Sequence, residues 1–210
     1  MDFAPIGLVA GTPVLAKKDF PPDDLKAFVA YVKANVATIN MAHAGVGSVS
    51  FTTCLLLNSI LGVKPTSVPF NGTGPALTAL IAGQVDYMCD QIVNVVQQIQ
   101  AGQIKAYAVG TPERSPALPN VPTSAQAGLP EFQAQAWNAL FAPKGTPQPV
   151  VDKLTDAQNK ALDDEHTRKR LLELGSVLPG KGERGQQALA ALVKREIERW
   201  TPIIKANPTD

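Results

Sequence analysis

The sequence predicts an α/β protein: a parallel sheet covered by helices, followed by a helical tail. Three observations lead there. Between residues 38 and 109, short β-branched runs alternate with segments that carry apolar residues at helical spacing. Small-residue loops stand where strands give way to helices, at Ala42-His43-Ala44-Gly45-Val46-Gly47-Ser48 and at Pro69-Phe70-Asn71-Gly72-Thr73-Gly74-Pro75. Beyond Pro147 only helical stripes remain. Strands separated by helices pair in parallel, and right-handed crossovers gather the strand-end loops on one edge of the sheet.

In chain order, Ile6–Ala10 and Val14–Ala16 read as strands around a Gly11-Thr12-Pro13 turn. Pro21-Pro22-Asp23 opens a helix with Asp23 as N-cap, carrying Leu25, Phe28, Val29 and Val32. A strand over Thr38–Met41 leads to the first loop, where Ser48 caps a helix with Phe51, Leu55, Leu56 and Ile60 that Gly62 ends. A strand at 66–69 leads to the second loop and to a helix with Pro75 near its first position, ending by Gly83. A strand at 85–89 passes through Asp90-Gln91 into a helix with Val93, Val96 and Ile99, ending by Gly102; a strand at 104–109 follows.

Five prolines between Pro112 and Pro130 make 111–130 an ordered loop with one short helix at Thr123–Ala127. Ala134–Phe141 is strand-like. Helices then run from about Pro149 to Leu162, Glu165 to Leu174 and Gln186 to Lys205. The last carries Leu189, Val193, Ile197, Trp200 and Ile204. These apolar stripes must be buried: either the helices fold back on the first unit, or they meet a second copy of the chain or a partner chain.

Composition narrows the function classes. A net charge of +1 with interleaved acids and bases leaves no basic stripe, which argues against nucleic acid as a partner. Cys54 and Cys89 stand 35 residues apart outside any CxxC pair, and read as buried small hydrophobes rather than a disulfide. Neither they nor His43 and His166 have metal-ligand spacing, so no metal is expected. His166 and the run Arg168-Lys169-Arg170 read as a solvated helix face. No apolar run reaches membrane-spanning length. Met1-Asp2-Phe3-Ala4-Pro5 has no signal-peptide character, which predicts a cytoplasmic chain unless an export signal lies outside this sequence.

The two loops are the strongest functional signal. A strand end that opens a helix presents free N–H groups and the positive end of the helix dipole, a trap for a carboxylate. Gly45, Gly47 and Ser48 form one such junction, and Asn71, Gly72 and Thr73 the other. The same glycines also serve a plain tight turn. A dinucleotide fingerprint is incomplete, because Ser50 replaces the third glycine and no acid follows at ribose distance; no Gly-Lys-Ser/Thr makes a P-loop. No cofactor is therefore expected. Asp90, past a buried strand, either orients donors and meets a ligand hydroxyl or amine, or caps the next helix. His43 and Cys89 both fall at strand ends, which leaves open an α/β enzyme acting on a carboxylate or phosphate through His43, Cys89 and Asp90.

A set of ordered blocks carries a resemblance over Asp2 to about Lys205. They include Asp2-Phe3-Ala4-Pro5-Ile6, Gly45-Val46-Gly47-Ser48 and Val68-Pro69-Phe70-Asn71-Gly72. Further blocks are Pro75–Asp86, Gln100–Ala106, Arg114–Thr123, Ala127-Gly128-Leu129-Pro130, Trp137, Leu140-Phe141-Ala142-Pro143 and Gly145-Thr146-Pro147. The chain resembles the Bug-type periplasmic solute-binding proteins of tripartite tricarboxylate transporters.

That resemblance implies a type II flytrap of the periplasmic-binding-protein kind. Residues 1–10 would be a crossing strand, 11–133 the second-lobe ligand-binding domain, and 134–210 a crossing strand with the helical part of an incomplete first lobe. It implies no catalysis. A small carboxylate ligand would be held at Gly45, Gly47, Ser48, Asn71, Gly72, Thr73 and Asp90, with membrane transporter subunits as partners and the periplasm as compartment. A truncated module that no longer binds ligand is the remaining alternative. The departures are specific. A long segment found before the first crossing strand in the family, with its Pro-Pro-Gly-Gly loop, is absent here. His43 replaces a small residue, Phe51 a common histidine and Asn71 a common lysine. The last change makes the loop less cationic and counts against a strongly charged multi-carboxylate.

Overall fold

The computed structural model describes residues 2–207, with side chains from Ala10 onward. The chain divides into two compact units, Gly11–Ala136 and the combination of Met1–Ala10 with Trp137–Asp210.

The Gly11–Ala136 unit is built from strands β2 (Pro13–Lys17), β3 (Asn40–His43), β4 (Thr66–Pro69), β5 (Tyr87–Cys89) and β6 (Ile104–Val109), in the order β4-β3-β5-β2-β6. Helices α1 (Leu25–Ala34), α2 (Val49–Leu61), α3 (Thr73–Ile81) and α4 (Ile92–Gln100) connect them. The strands with helical crossovers are parallel: β3 pairs with β4 and with β5. Strand β2 differs from the parallel reading, running antiparallel to both β5 and β6. A short apolar strand has the same side-chain alternation in either direction, so its sequence does not fix its sense.

The turn expected at Gly11-Thr12-Pro13 is not formed. Strand β1 (Asp2–Gly11) and β2 belong to different sheets, joined through Thr12. The backbone there bonds elsewhere: Thr12 donates from Oγ1 and N to the Ala134 carbonyl at 2.8 and 3.3 Å, and accepts from Gly110 N at 3.2 Å. Gly110 itself donates from N and accepts from Ala134 N at 2.8 Å, an approach so close that a Cβ at 110 would stand 2.7 Å from that nitrogen.

Local signals otherwise translate well, with two corrections. The N-cap of α1 is Asp24, whose carboxylate accepts from Ala27 N at 2.7 Å; Asp23 instead pairs with Lys105 Nζ at 2.9 Å. Either aspartate satisfies the capping pattern, and the tertiary partner Lys105 decides between them. The short helix expected at Thr123–Ala127 is a turn, closed by Ala127 N to Thr123 O and Leu129 N to Ser124 O. Ser48 caps α2 and Gly62 ends it with φ 68°, as the sequence predicts.

Alternation along β3 and β5 builds two core layers. Ala42 and Met88 face Ala76, Leu77, Leu80 and Val95 of α3 and α4. Tyr87 is wholly buried on the other face, its ring 5.5 Å edge-on to Phe28 of α1, and its hydroxyl donates to Asn58 Oδ1 of α2 at 2.6 Å. Asn58 in turn donates to Met41 Sδ at 3.3 Å.

The other unit contains the sheet β7-β1-β8, with β7 at Gln135–Ala142 and β8 at Ser176–Val177, paired antiparallel to β1 through Val9–Val177 and Ala10–Ser176. Helices α5 (Gln148–Asp163), α6 (Glu165–Glu173) and α7 (Gln186–Ala206) complete it, with a 3-10 turn at Lys181–Glu183. The pattern did not announce β8, since two residues are too few for periodicity. Of the α7 stripe only Leu189 is buried, while Ile197 is 60% exposed. No helix of the described residues is long and apolar enough to cross a membrane.

Candidate functional site

Parallel strands β4, β3 and β5 are neighbours, so the loops after their carboxyl ends lie side by side. This is the edge at which open α/β sheets take ligands. The loop after β3 carries Gly45, Gly47 and Ser48, the loop after β4 carries Asn71, Gly72 and Thr73, and Asp90 follows β5 directly. All seven expected positions therefore share one edge of the Gly11–Ala136 unit.

The first loop is organised from within. Gly45 and Gly47 adopt φ 102° and 82°, a region that costs any side chain strain. The Ser48 hydroxyl accepts from Phe51 N at 3.2 Å and donates to the Gly45 carbonyl at 2.7 Å. Ser50 Oγ lies 3.0 Å from it and accepts from Ala44 N at 2.8 Å. Ser48 thus caps α2, with its hydroxyl proton on the Gly45 carbonyl in this arrangement. The N–H groups of Gly47, Val49 and Ser50 find no acceptor among the described residues. These, at the positive end of α2, are what the loop offers to an anion.

His43 ends β3 and is 2% exposed. Its Nδ1 accepts from Gly45 N at 3.1 Å, which places the ring proton on Nε2, and its ring lies 4.9 Å from that of Phe51. Burial holds its pKa below the ordinary 6.5, against the opposing effect of the Gly45 bond, so the imidazole is neutral.

The second loop turns at Gly72, φ 110°, into α3. Pro75 has no N–H, and those of Thr73 and Gly74 have no acceptor among the described residues. Asn71 is exposed at the tip. The loop is tied to the first by Phe70 N donating to the His43 carbonyl at 2.9 Å.

Asp90 joins the second loop to α4. Its Oδ2 accepts from Thr73 Oγ1 at 2.8 Å, and its Oδ1 from Gln91 N at 2.7 Å and Asn94 Nδ2 at 2.8 Å. It is 2% exposed, and burial pushes its pKa above the usual 3.8 despite the hydrogen bonds from Asn94, Thr73 and Gln91. Asp90 is thus a tie that orients Thr73, the donor-orienting alternative rather than the cap; the N-cap of α4 is Gln91. The Thr73 backbone N–H has no acceptor among the described residues, while its hydroxyl proton goes to Asp90.

Two participants escaped the sequence reading. Asn94 lies four residues after Asp90, a spacing at which helical side chains meet, and Ser50 lies two after Ser48. Cys89 is wholly buried, and burial pushes its thiol well above the ordinary range, which disfavours a thiolate nucleophile there. No group of three or more His, Cys, Asp or Glu side chains converges as for a metal among the described residues.

Comparison with known proteins gives this edge a context. The family model for the tripartite tricarboxylate transporter family receptor matches residues 2–208. The UPF0065 protein in the TAR-I ttuE-ttuC' intergenic region of Agrobacterium vitis is 41% identical over 205 residues, 97% of this chain and 59% of that protein. Among solved structures, MatC from Rhodopseudomonas palustris with bound malate superposes with TM-score 0.93 at 50% identity, covering 97% of this chain and 69% of that one. The periplasmic binding protein BugD superposes with TM-score 0.91 at 37% identity, covering 98% of this chain and 68% of its own. The present chain thus spans about 60% of the length of that Agrobacterium protein and of a Pseudomonas relative that is 35% identical to this chain. On a match that runs almost end to end, the chain belongs to the tripartite tricarboxylate transporter receptor family.

Proposed function

We propose that this chain is a non-catalytic solute receptor, or the larger part of one, that binds a small carboxylate of the malate class for a tripartite tricarboxylate-type transporter in the periplasm. The observation that carries this reading is the row of unpartnered N–H groups at the starts of α2 and α3, on adjacent loops of one sheet edge. Backbone donors at helix N-termini suit a carboxylate. The malate-bound relative at 50% identity supports the ligand class, and an adipate-bound Rhodopseudomonas palustris protein at 28% identity supports carboxylates more broadly. A wholly buried Cys89, whose thiol burial pushes well above the ordinary range, supports binding over nucleophilic catalysis.

Within this reading Gly45, Gly47, Asn71, Gly72 and Thr73 contribute the ligand-facing backbone, and Ser48 and Asp90 hold it in shape. The exposed apolar faces of α5–α7 supply the partner surface: a second copy, or a chain equivalent to the part of the relatives that this one does not span. Light scattering reads that association directly, and a well-behaved monomer overturns it.

Titration calorimetry with malate tests the binding claim. The expected result is saturable one-to-one binding that Asp90→Ala weakens about tenfold or more, because it frees Thr73 and removes charge-assisted hydrogen bonds worth roughly 1.5–3 kcal/mol. No heat with malate, succinate or adipate overturns the reading, as does their chemical conversion by the purified chain.

A further inference from the structure

His43 holds one polar atom at this edge that no protein group satisfies. It is the last residue of β3, the strand between β4 and β5, so the second loop stands on one side of it and Asp90 on the other. Its carbonyl takes Phe70 N of the second loop at 2.9 Å, and its Nδ1 takes Gly45 N of the first at 3.1 Å. The Phe51 ring, from the first turn of α2, lies 4.9 Å from the imidazole. Strand, loop and helix thus fix the ring, and an Nδ1 that accepts leaves the proton on Nε2. That N–H has no acceptor among the described residues. Nor is it sealed, since Nε2 is not among the enclosed side-chain atoms that lack a bond. The 2% of its surface that His43 keeps therefore includes Nε2. A polar group buried to that extent ordinarily finds a partner. The ring lies between the sheet and α2 at the end of its strand, so the side left open is the carboxyl edge. The unpartnered N–H groups of Gly47, Val49 and Ser50 stand at the same place.

We infer that His43 is the side-chain donor of the carboxylate site, its Nε2–H meeting a ligand oxygen beside the N–H groups that open α2. The inference rests on the carboxylate reading of this edge and deepens it by naming a specificity-determining residue. Neither loop, 43–50 or 69–75, carries a lysine or arginine. The anion is then held by directed donors rather than by an opposite charge, and each donor fixes the place of one oxygen. A helix N-terminus attracts any small anion. A ring locked on three sides adds what the helix end lacks, a single donor in a set position that selects how the ligand lies.

Two isosteric variants of the whole chain separate the two ring nitrogens, with malate as the probe in titration calorimetry. His43→Gln carries an amide N–H to the position of Nε2 but loses the Nδ1 acceptor. His43→Asn keeps an acceptor near Nδ1 for Gly45 N but cannot reach the Nε2 position. The expected result is malate affinity within about threefold of the parent for His43→Gln and a loss of about tenfold or more for His43→Asn. The reverse order makes His43 a positioning residue for the first loop and overturns the inference, as does parental affinity in both variants. A second measurement uses the unaltered sequence, so it decides the matter even if the variants fail to fold. With labelled histidine, a correlation spectrum of the imidazole nitrogens should show the Nε2–H form of His43, and malate should shift Nε2 and slow exchange of its proton. His166, exposed on α6, is the internal control and should not move. Malate binding that leaves His43 Nε2 unchanged overturns this inference alone. Absence of binding to malate, succinate and adipate in the parent overturns the carboxylate reading and this inference with it.

Discussion

The two units of this chain treat their apolar surface in opposite ways. In the Gly11–Ala136 unit, helices on both faces of the sheet bury what they present: Leu80, Leu57, Phe28 and Tyr87 are all wholly enclosed. In the unit formed by the tail, Leu140, Phe141, Val150, Leu154, Leu172, Val177, Ile197 and Ile204 are each at least 40% exposed. Only Val46 and Ile81 match them in the other unit. A groove of about 390 Å³ between β7, α5 and α6, lined by Leu140, Leu154, Ala157, Leu162 and Leu171, belongs to the same open face. The lesson is that an amphipathic pattern specifies a helix and the side it would bury, but not that something is present to bury it. One unit is a finished core; the other displays a face of the kind that marks an interface.

Core truncation sharpens that contrast most. Leu80→Ala, in the closed core, should destabilise the chain by about 2–5 kcal/mol in a denaturant titration. Ile197→Ala, on the open face, should change it by less than about 0.5 kcal/mol. A large effect of Ile197→Ala that grows with protein concentration would break the comparison in an informative way, by showing the face covered by another copy.

Acid comes next. His43 is held below its ordinary pKa of 6.5 by burial, so its contribution to stability is present above about pH 6.5 and is lost as pH falls through the depressed folded value. Asp90 has the opposite sign: its raised pKa makes its contribution complete below the ordinary 3.8 and lost as pH rises through the folded value. Between those limits, falling pH should therefore weaken the unit through His43 and strengthen it through Asp90. Unfolding titrations of His43→Gln and Asp90→Asn across pH 4–7 separate the two, each variant removing one slope. A His43→Gln profile parallel to the parent would remove the buried neutral imidazole from the account.

The smallest effect belongs to a local feature that takes no part in the contrast. Asp24→Ala should cost about 0.5–2 kcal/mol by removing the α1 cap. Asp23→Ala should cost little, because its pair with Lys105 is exposed. Equal losses in the two variants would mean that both aspartates share the cap.

How legible the candidate site was follows from range. The glycines with positive φ, the Ser48 cap and the start of α3 are set within four or five residues, and the sequence read them. The Thr73–Asp90–Asn94 tie runs from the start of α3 to α4, 21 positions on, and only Asp90 itself stood out, with orienting donors as one of two readings and without its partners. The Ser48 hydroxyl, expected as a donor at the helix start, closes here on the Gly45 carbonyl three residues back, the kind of local bond short polar side chains make in tight turns.

The sequence alone determined the alternation of strands and helices, the parallel pairing of β3, β4 and β5, and the gathering of their loops on one edge. Those follow from periodicity, capping and crossover geometry, which act over short stretches of chain. Tertiary structure alone decided that β2 enters the sheet antiparallel, that Asp24 rather than Asp23 caps α1, and that Asp90 is a buried tie. It also decided which apolar stripes are covered. Each of those choices is a competition between partners remote in sequence, settled by which pairing leaves the fewest polar groups unsatisfied and the least apolar surface in water.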